Sequence, residues 1–164
     1  MKWMLLFTMI IGTACSDNPV KSADNPMEGA LLTVDYTDGV PDRSMSRAWA
    51  RQRVLWSFTD STYQLEVHII EREPDRQWRL PPNKSLIYYD RGTYEFVEET
   101  IYEVVIRLRR ENGRQFNWET GEDYELLAKS WTNRFEKEIG ELHLGNFSYR
   151  VTTMEEYQSL RDFL

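Results

Sequence analysis

From Val54 to Arg109 apolar and polar side chains alternate with a period of two, which is the pattern of strands with one face buried. Val54, Trp56 and Phe58 share a face. Tyr63, Leu65, Val67 and Ile69 share the next, opposite Gln64, Glu66 and His68. Leu86–Tyr89 follows, and Tyr94 and Phe96 resume the alternation beyond Asp90-Arg91-Gly92, which reads as a turn. Tyr102, Val104, Ile106 and Leu108 then alternate with Glu103, Val105, Arg107 and Arg109. Asn112-Gly113 is the strongest hairpin signal in the chain, since both residues tolerate positive φ. Phe116 and Trp118 share a face after it, and Gly121 marks a further turn. Leu142 and Leu144 flank His143, and Gly145-Asn146 leads into Phe147, Tyr149 and Val151. No proline follows Pro82, which suits continuous strand pairing. At least seven short strands joined by tight turns predict a mainly β domain, an antiparallel up-and-down meander. Closing it into a small barrel removes its exposed edges.

Other stretches depart from this period. Asp42–Arg53 has a cap-like start and places Met45, Ala48, Trp49 and Gln52 at helical spacing, which predicts a short helix before the barrel. Tyr124, Leu127, Trp131, Phe135 and Ile139 stand three or four apart. That stretch reads as a helix, or as a strand over Tyr124–Ser130 followed by a loop, and its place among hairpins favours the strand. Thr153 as cap, Glu155 and Glu156 near the N-terminal dipole and a stripe of Tyr157, Leu160 and Leu164 predict a C-terminal helix. The connection Glu71–Lys84 is longer than a usual hairpin loop and carries Pro74, Pro81, Pro82 and Trp78.

The N-terminus has a different character. Lys2 precedes an apolar stretch, Trp3 to Ile11, interrupted by Thr8. The small residues Gly12, Thr13 and Ala14 then lead to Cys15, the only cysteine. This is the three-part layout of a secretory signal. Its apolar run is less than half of the roughly 20 residues that span a bilayer. Ala14-Cys15 resembles the lipobox of bacterial lipoproteins. The resemblance implies cleavage before Cys15, a diacylglycerol on its sulfur and an acyl chain such as palmitate on its new amine. Several chains anchor firmly where one holds only marginally. Ser16 in place of Asp is similar to the outer-membrane signal of enterobacterial lipoproteins. The expected organisation is a signal peptide over 1–14, a lipid-anchored flexible tether over 15–41 and a barrel domain over 42–164. Within the tether, Leu31 to Tyr36 could dock as a first strand. The expected location is the cell envelope, at the periplasmic face or cell surface of the outer membrane.

The formal charge of −7 gives no electrostatic footprint for nucleic acid. A lone cysteine leaves no disulfide framework. His68 and His143 fall on polar strand faces without metal-ligand spacing. There is no G-x-S-x-G elbow, P-loop or dinucleotide fingerprint. Glu98-Glu99, Glu122-Asp123 and Glu155-Glu156 are adjacent pairs whose members point apart on a strand. The expectation is a non-catalytic protein without a cofactor.

Trp56-Ser57-Phe58-Thr59-Asp60-Ser61-Thr62-Tyr63 resembles the opening hairpin of lipocalin-like barrels, as do Arg91–Phe96 and Gly145–Arg150. The resemblance covers residues 54–152. It implies a barrel that binds a small apolar or amphipathic ligand, with Trp56, Phe58, Tyr63, Tyr94, Phe96 and Tyr102 lining the interior. Trp78 would cap it from the long loop. The other expectation is a fully packed barrel that acts as an envelope protein-protein interaction module, with Trp78 in its contact patch.

Overall fold

A computed structural model describes residues 25–164. The expected signal peptide over 1–14, Cys15 and residues 16–24 lie outside the described residues. Nine strands and one helix follow in order: β1 (Leu31–Pro41), β2 (Arg47–Phe58), β3 (Thr62–Arg72), β4 (Leu86–Glu99), β5 (Glu103–Phe116), β6 (Asp123–Glu125), β7 (Ser130–Glu138), β8 (Glu141–Leu144), β9 (Phe147–Val151) and α1 (Met154–Asp162). Every pairing is antiparallel. The strands β1-β2-β3-β4-β5-β7-β8-β9 join neighbour to neighbour, and β9 returns to β1 to close an eight-stranded up-and-down barrel. The short β6 pairs with the far end of β5, below β7.

The inward faces are those set by the alternation. Leu32, Val54, Trp56, Phe58, Tyr63, Tyr94, Val104, Ile106, Leu108, Phe135 and Tyr149 form one buried cluster. Met27, 0 % exposed, joins it from the turn before β1 and plugs that end of the barrel. The Asn25 amide anchors the plug, donating to the Tyr94 hydroxyl at 2.7 Å. At the opposite end, residues 73–85 form a strap. Leu80 and Trp78 pack there with Val40, Ala50, Ile69, Phe116, Ile87 and Trp118. Arg72 holds the strap through the carbonyls of Leu80 and Lys84, at 3.0 and 2.8 Å.

The predicted C-terminal helix is present as α1. The Thr153 hydroxyl accepts from Glu156 N, and Tyr157 packs with Leu31 and Leu55 on the outer face of the barrel. The predicted helix over Asp42–Arg53 is replaced by a hairpin. Asp42 does cap backbone N–H groups, but those of Ser44 and Ser46, in a tight turn where Met45 takes φ 62°. Beyond it, Ala48, Ala50 and Gln52 are buried while Trp49 and Arg51 are exposed, a period of two that the helical spacing obscured. Residues 31–41, assigned to the tether, are the strand β1, paired along its whole length with β2. Over 124–139 the expected strand and loop exchange places. β6 ends at Glu125, residues 126–129 form a loop, and β7, where the loop was expected, sends Trp131 and Phe135 inward. Leu127 and Ile139 are exposed beside it, because the three-and-four spacing mixed loop and strand positions.

The two central turn signals are not turns. Asp90-Arg91-Gly92 lies within β4 and Asn112-Gly113 within β5, and they face each other across one ladder. Arg91 pairs with Asn112 but Gly92 with Arg110, so Glu111 is the extra residue of a bulge. A Cβ on Gly92 would sit 1.9 Å from the Arg109 carbonyl oxygen. Glycine there allows the bent strands to approach, which is its other common use in sheets.

Candidate functional site

Five of the sequence-chosen aromatic residues meet inside the barrel. Trp56 stacks on Phe58 with centroids 5.5 Å apart, and Tyr94 meets Phe58 edge-on at 5.3 Å. Tyr63 lies 5.9 Å from Trp56, and Phe96 packs against the same cluster. Tyr102 is not among them. It stands 74 % exposed in the β4–β5 turn, because the turn runs through Tyr102 and β5 begins only at Glu103, one residue later than the alternation suggested. Trp78 is half-buried on the strap, and its indole N–H donates to the Glu73 carbonyl at 3.3 Å.

Below the aromatic layer the interior becomes polar. Asp90 is 0 % exposed. One of its oxygens accepts from the Tyr63 hydroxyl at 2.8 Å. The other accepts from Tyr88 at 3.0 Å and from Arg110 Nε at 2.7 Å. Arg110 also donates to the Tyr88 hydroxyl and to the Leu127 carbonyl, and its guanidinium lies over the Trp131 ring, 5.4 Å from the centroid. Across the β1–β2 ladder, Tyr36 donates to Gln52 at 2.8 Å. Burial, then the neighbouring Asp90 charge, pushes the Tyr88 phenol up to about 12, and burial with the Asp90 hydrogen bond pushes Tyr63 up as well. Burial is the largest influence on Arg110 and works against its charge, but the Asp90 hydrogen bond together with the Tyr88, Asp90 and Tyr63 oxygens holds it above its ordinary value.

None of Asp90, Arg110, Tyr88, Gln52, Tyr36 or Trp131 was selected from sequence. The signal was present. Tyr94, Gly92, Asp90 and Tyr88 keep the inward period of two, as do Leu108 and Arg110, once residues 90–92 and 112–113 are read as strand.

The barrel wall is uneven around this cluster. β9 pairs with β1 only at Leu32 and Thr33, so among the described residues Val34 to Pro41 has no strand on that side. Val34, Tyr36, Leu65, Val67, Trp131, Leu142 and Leu144 pack on the core yet are only half-buried. Solvent therefore reaches these side chains, of which Val34, Tyr36, Leu142 and Leu144 belong to β1 and β8, on either side of the point where β1 parts from β9. The Trp56 indole nitrogen, in the layer above, has no hydrogen-bond partner among the described residues. Toward the strap end a cleft of about 460 Å³ opens between the end of β1 and β5–β6, lined by Pro41, Met45, Gln115, Phe116, Trp118 and Tyr124.

A second polar array lies outside the barrel, under α1. His68 falls on the outer face as its alternation requires, but α1 buries it. Its Nδ1 is 3.0 Å from the Ser85 hydroxyl and its Nε2 is 3.2 Å from Glu66. Serine, imidazole and carboxylate in this order can relay a proton. Here each is engaged in fastening the helix. Ser85 donates to the Leu164 carbonyl, and Glu66 accepts from Arg161 and Gln64. Burial opposes the Glu66 charge, but the His68 hydrogen bond and Arg161 together hold its carboxyl below the usual range. His143 is half-buried on β8 near Glu138 and Glu141, well away from this array.

No protein-family model, curated protein or solved structure matches this chain, so its function is argued from the geometry of the barrel itself.

Proposed function

We propose that the protein is an exported, lipid-anchored and non-catalytic barrel that holds a small amphipathic ligand, admitted through the flank between β1 and the short strands β8 and β9. The observation that carries this reading is the half-buried state of inward-facing Val34, Leu65, Val67, Trp131, Leu142 and Leu144 above a buried Asp90–Arg110 pair. A closed core would bury such side chains completely. Apolar walls with a few convergent polar groups are the usual make-up of a small-molecule site. The Trp56 indole N–H, which has no partner among the described residues, and the Asp90–Tyr88–Arg110 cluster below it supply the polar groups. The 460 Å³ cleft at the strap end lies within the size range of ligand sites.

The test is titration of the mature protein with an uncharged fluorescent naphthylamine probe. A saturable rise in emission with one site per chain is expected. Leu144→Trp, which fills the flank, is expected to weaken binding about tenfold, a change of about 1.4 kcal/mol. Tyr102→Ala is expected to leave it unchanged. Emission that rises without saturating, or equally in all three proteins, rejects an interior site. Anchoring is tested separately by incorporation of labelled palmitate in cells, expected in the native protein and lost in Cys15→Ser.

A further inference from the structure

The rim of the barrel around the Met27 plug carries large apolar side chains pointing into solvent. Ile139 is fully exposed in the β7–β8 turn, and Ile101 is 80 % exposed beside Tyr102 in the β4–β5 turn. The two turns are adjacent: Lys137 N donates to the Tyr102 carbonyl at 2.7 Å. Val151 and Met154, both exposed, continue the same rim, since Val151 N reaches the Gly140 carbonyl. Elsewhere an exposed residue such as Leu127 stands singly, which needs no explanation. The β4–β5 turn is firmly built. The Thr100 hydroxyl accepts from the N–H groups of both Tyr102 and Glu103, at 3.1 and 3.0 Å. The fold therefore holds these apolar tips outward.

We propose that this rim contacts the membrane: Ile101, Tyr102 and Ile139, flanked by Val151 and Met154, insert into the headgroup region of the zwitterionic phospholipid surface that carries the Cys15 anchor. The proposal rests on the lipid-anchored reading above, and the length of chain outside the described residues supports it. Asn25 is tied to the rim through Tyr94. From Cys15 to Asn25 the chain takes ten steps, which reach at most about 36 Å when fully extended. An anchor on so short a leash holds this end of the barrel within about 36 Å of the bilayer. Charge selects the lipid. Behind the tips, Glu99 pairs with Lys137, and Glu98 and Glu103 with Arg134. Glu136 and Glu138 add further negative charge at the same rim, and an anionic surface would repel them. Uncharged headgroups allow apolar insertion, with Tyr102 placed as an interfacial aromatic.

Because Cys15 is the only cysteine, Ile139→Cys adds one free thiol for an environment-sensitive fluorophore. The labelled protein is studied in two forms. One is acylated and reconstituted in phosphatidylcholine vesicles; the other is the unacylated Cys15→Ser chain mixed with the same vesicles at millimolar lipid. In either form, emission at position 139 is expected to shift to the blue and to be quenched by nitroxide-labelled lipid. A label at Leu127→Cys, on the loop between β6 and β7, is expected to do neither. Ile101→Glu with Tyr102→Glu is expected to lower the vesicle-bound fraction of the unacylated chain at least threefold, and phosphatidylserine to lower it further. Water-like emission from position 139 in both forms overturns the proposal. Failure of palmitate incorporation overturns the anchor alone, because the unacylated form still decides the rim.

Discussion

Asp90 shows how much one residue can concentrate. Its fully buried carboxylate is satisfied by two phenols and a guanidinium. Removing the cation from such a pair costs about 3–5 kcal/mol, because an uncompensated charge is left buried, whereas neutralising both partners costs far less. Arg110→Met is therefore expected to destabilise by that amount in urea, and Asp90→Asn with Arg110→Met to recover at least about 1 kcal/mol of the loss. A double variant no more stable than Arg110→Met refutes the pairing. Glu66 works differently because it sits on the outer face. Its ordinary carboxyl value is 4.5, and the folded protein holds it lower. Its contribution is complete above about pH 4.5 and is lost as the pH falls through the lower folded value. The urea midpoint should decline through that acidic window, and Glu66→Gln should flatten the decline. The inward alternation made Trp56, Phe58, Tyr63, Tyr94 and Phe96 legible in the sequence. Asp90 and Arg110 were hidden, since an Asp before Arg-Gly is locally indistinguishable from the start of a turn.

At the scale of elements, the longest strands carry the least obvious local signals. β4 and β5 each have 14 residues and both bend at the bulge around Glu111. Gly92→Ala would drive a Cβ against the Arg109 backbone, and overpacking of this kind costs about 1–3 kcal/mol. The expected loss in thermal denaturation is at the upper end of that range, because the obstacle is backbone. An unchanged melting temperature would mean that the two strands do not pack this closely. Turn chemistry and bulge chemistry use the same residues, so Asn-Gly alone could not separate them. The β1–β2 hairpin was misread for a related reason. Met45, Ala48, Trp49 and Gln52 fall at helical spacing by coincidence, and the strong strand pattern begins only at Val54. Where several turns of alternation accumulate, as in β3, pattern and structure agree. α1 was legible too, since its cap, its first-turn acids and its apolar stripe agree on one boundary.

For the whole molecule, the folded domain begins earlier than composition implied. Pro, Gly and Asn are frequent over 16–41, yet Asn25 to Pro41 belongs to the plug and β1. Met27→Ala is expected to cost about 2–5 kcal/mol, the loss from truncating a buried core side chain. A residue of a flexible tether would cost nothing, so equilibrium unfolding separates the two. The up-and-down order was readable because sequential hairpins admit few alternatives; the open flank was not, since it follows from β8 and β9 being only four and five residues long. The pairing that closes the barrel also has a consequence in time. It joins Leu32 to Val151, and the Leu31 carbonyl receives its bond from Thr152, 121 positions along the chain. A chain synthesised from its N-terminus exposes β1 first and β9 almost last. Until the final strand emerges, β1 is a bare edge, able to pair with any extended segment it meets. The cell must keep such a chain solitary or escorted for nearly the whole of its synthesis.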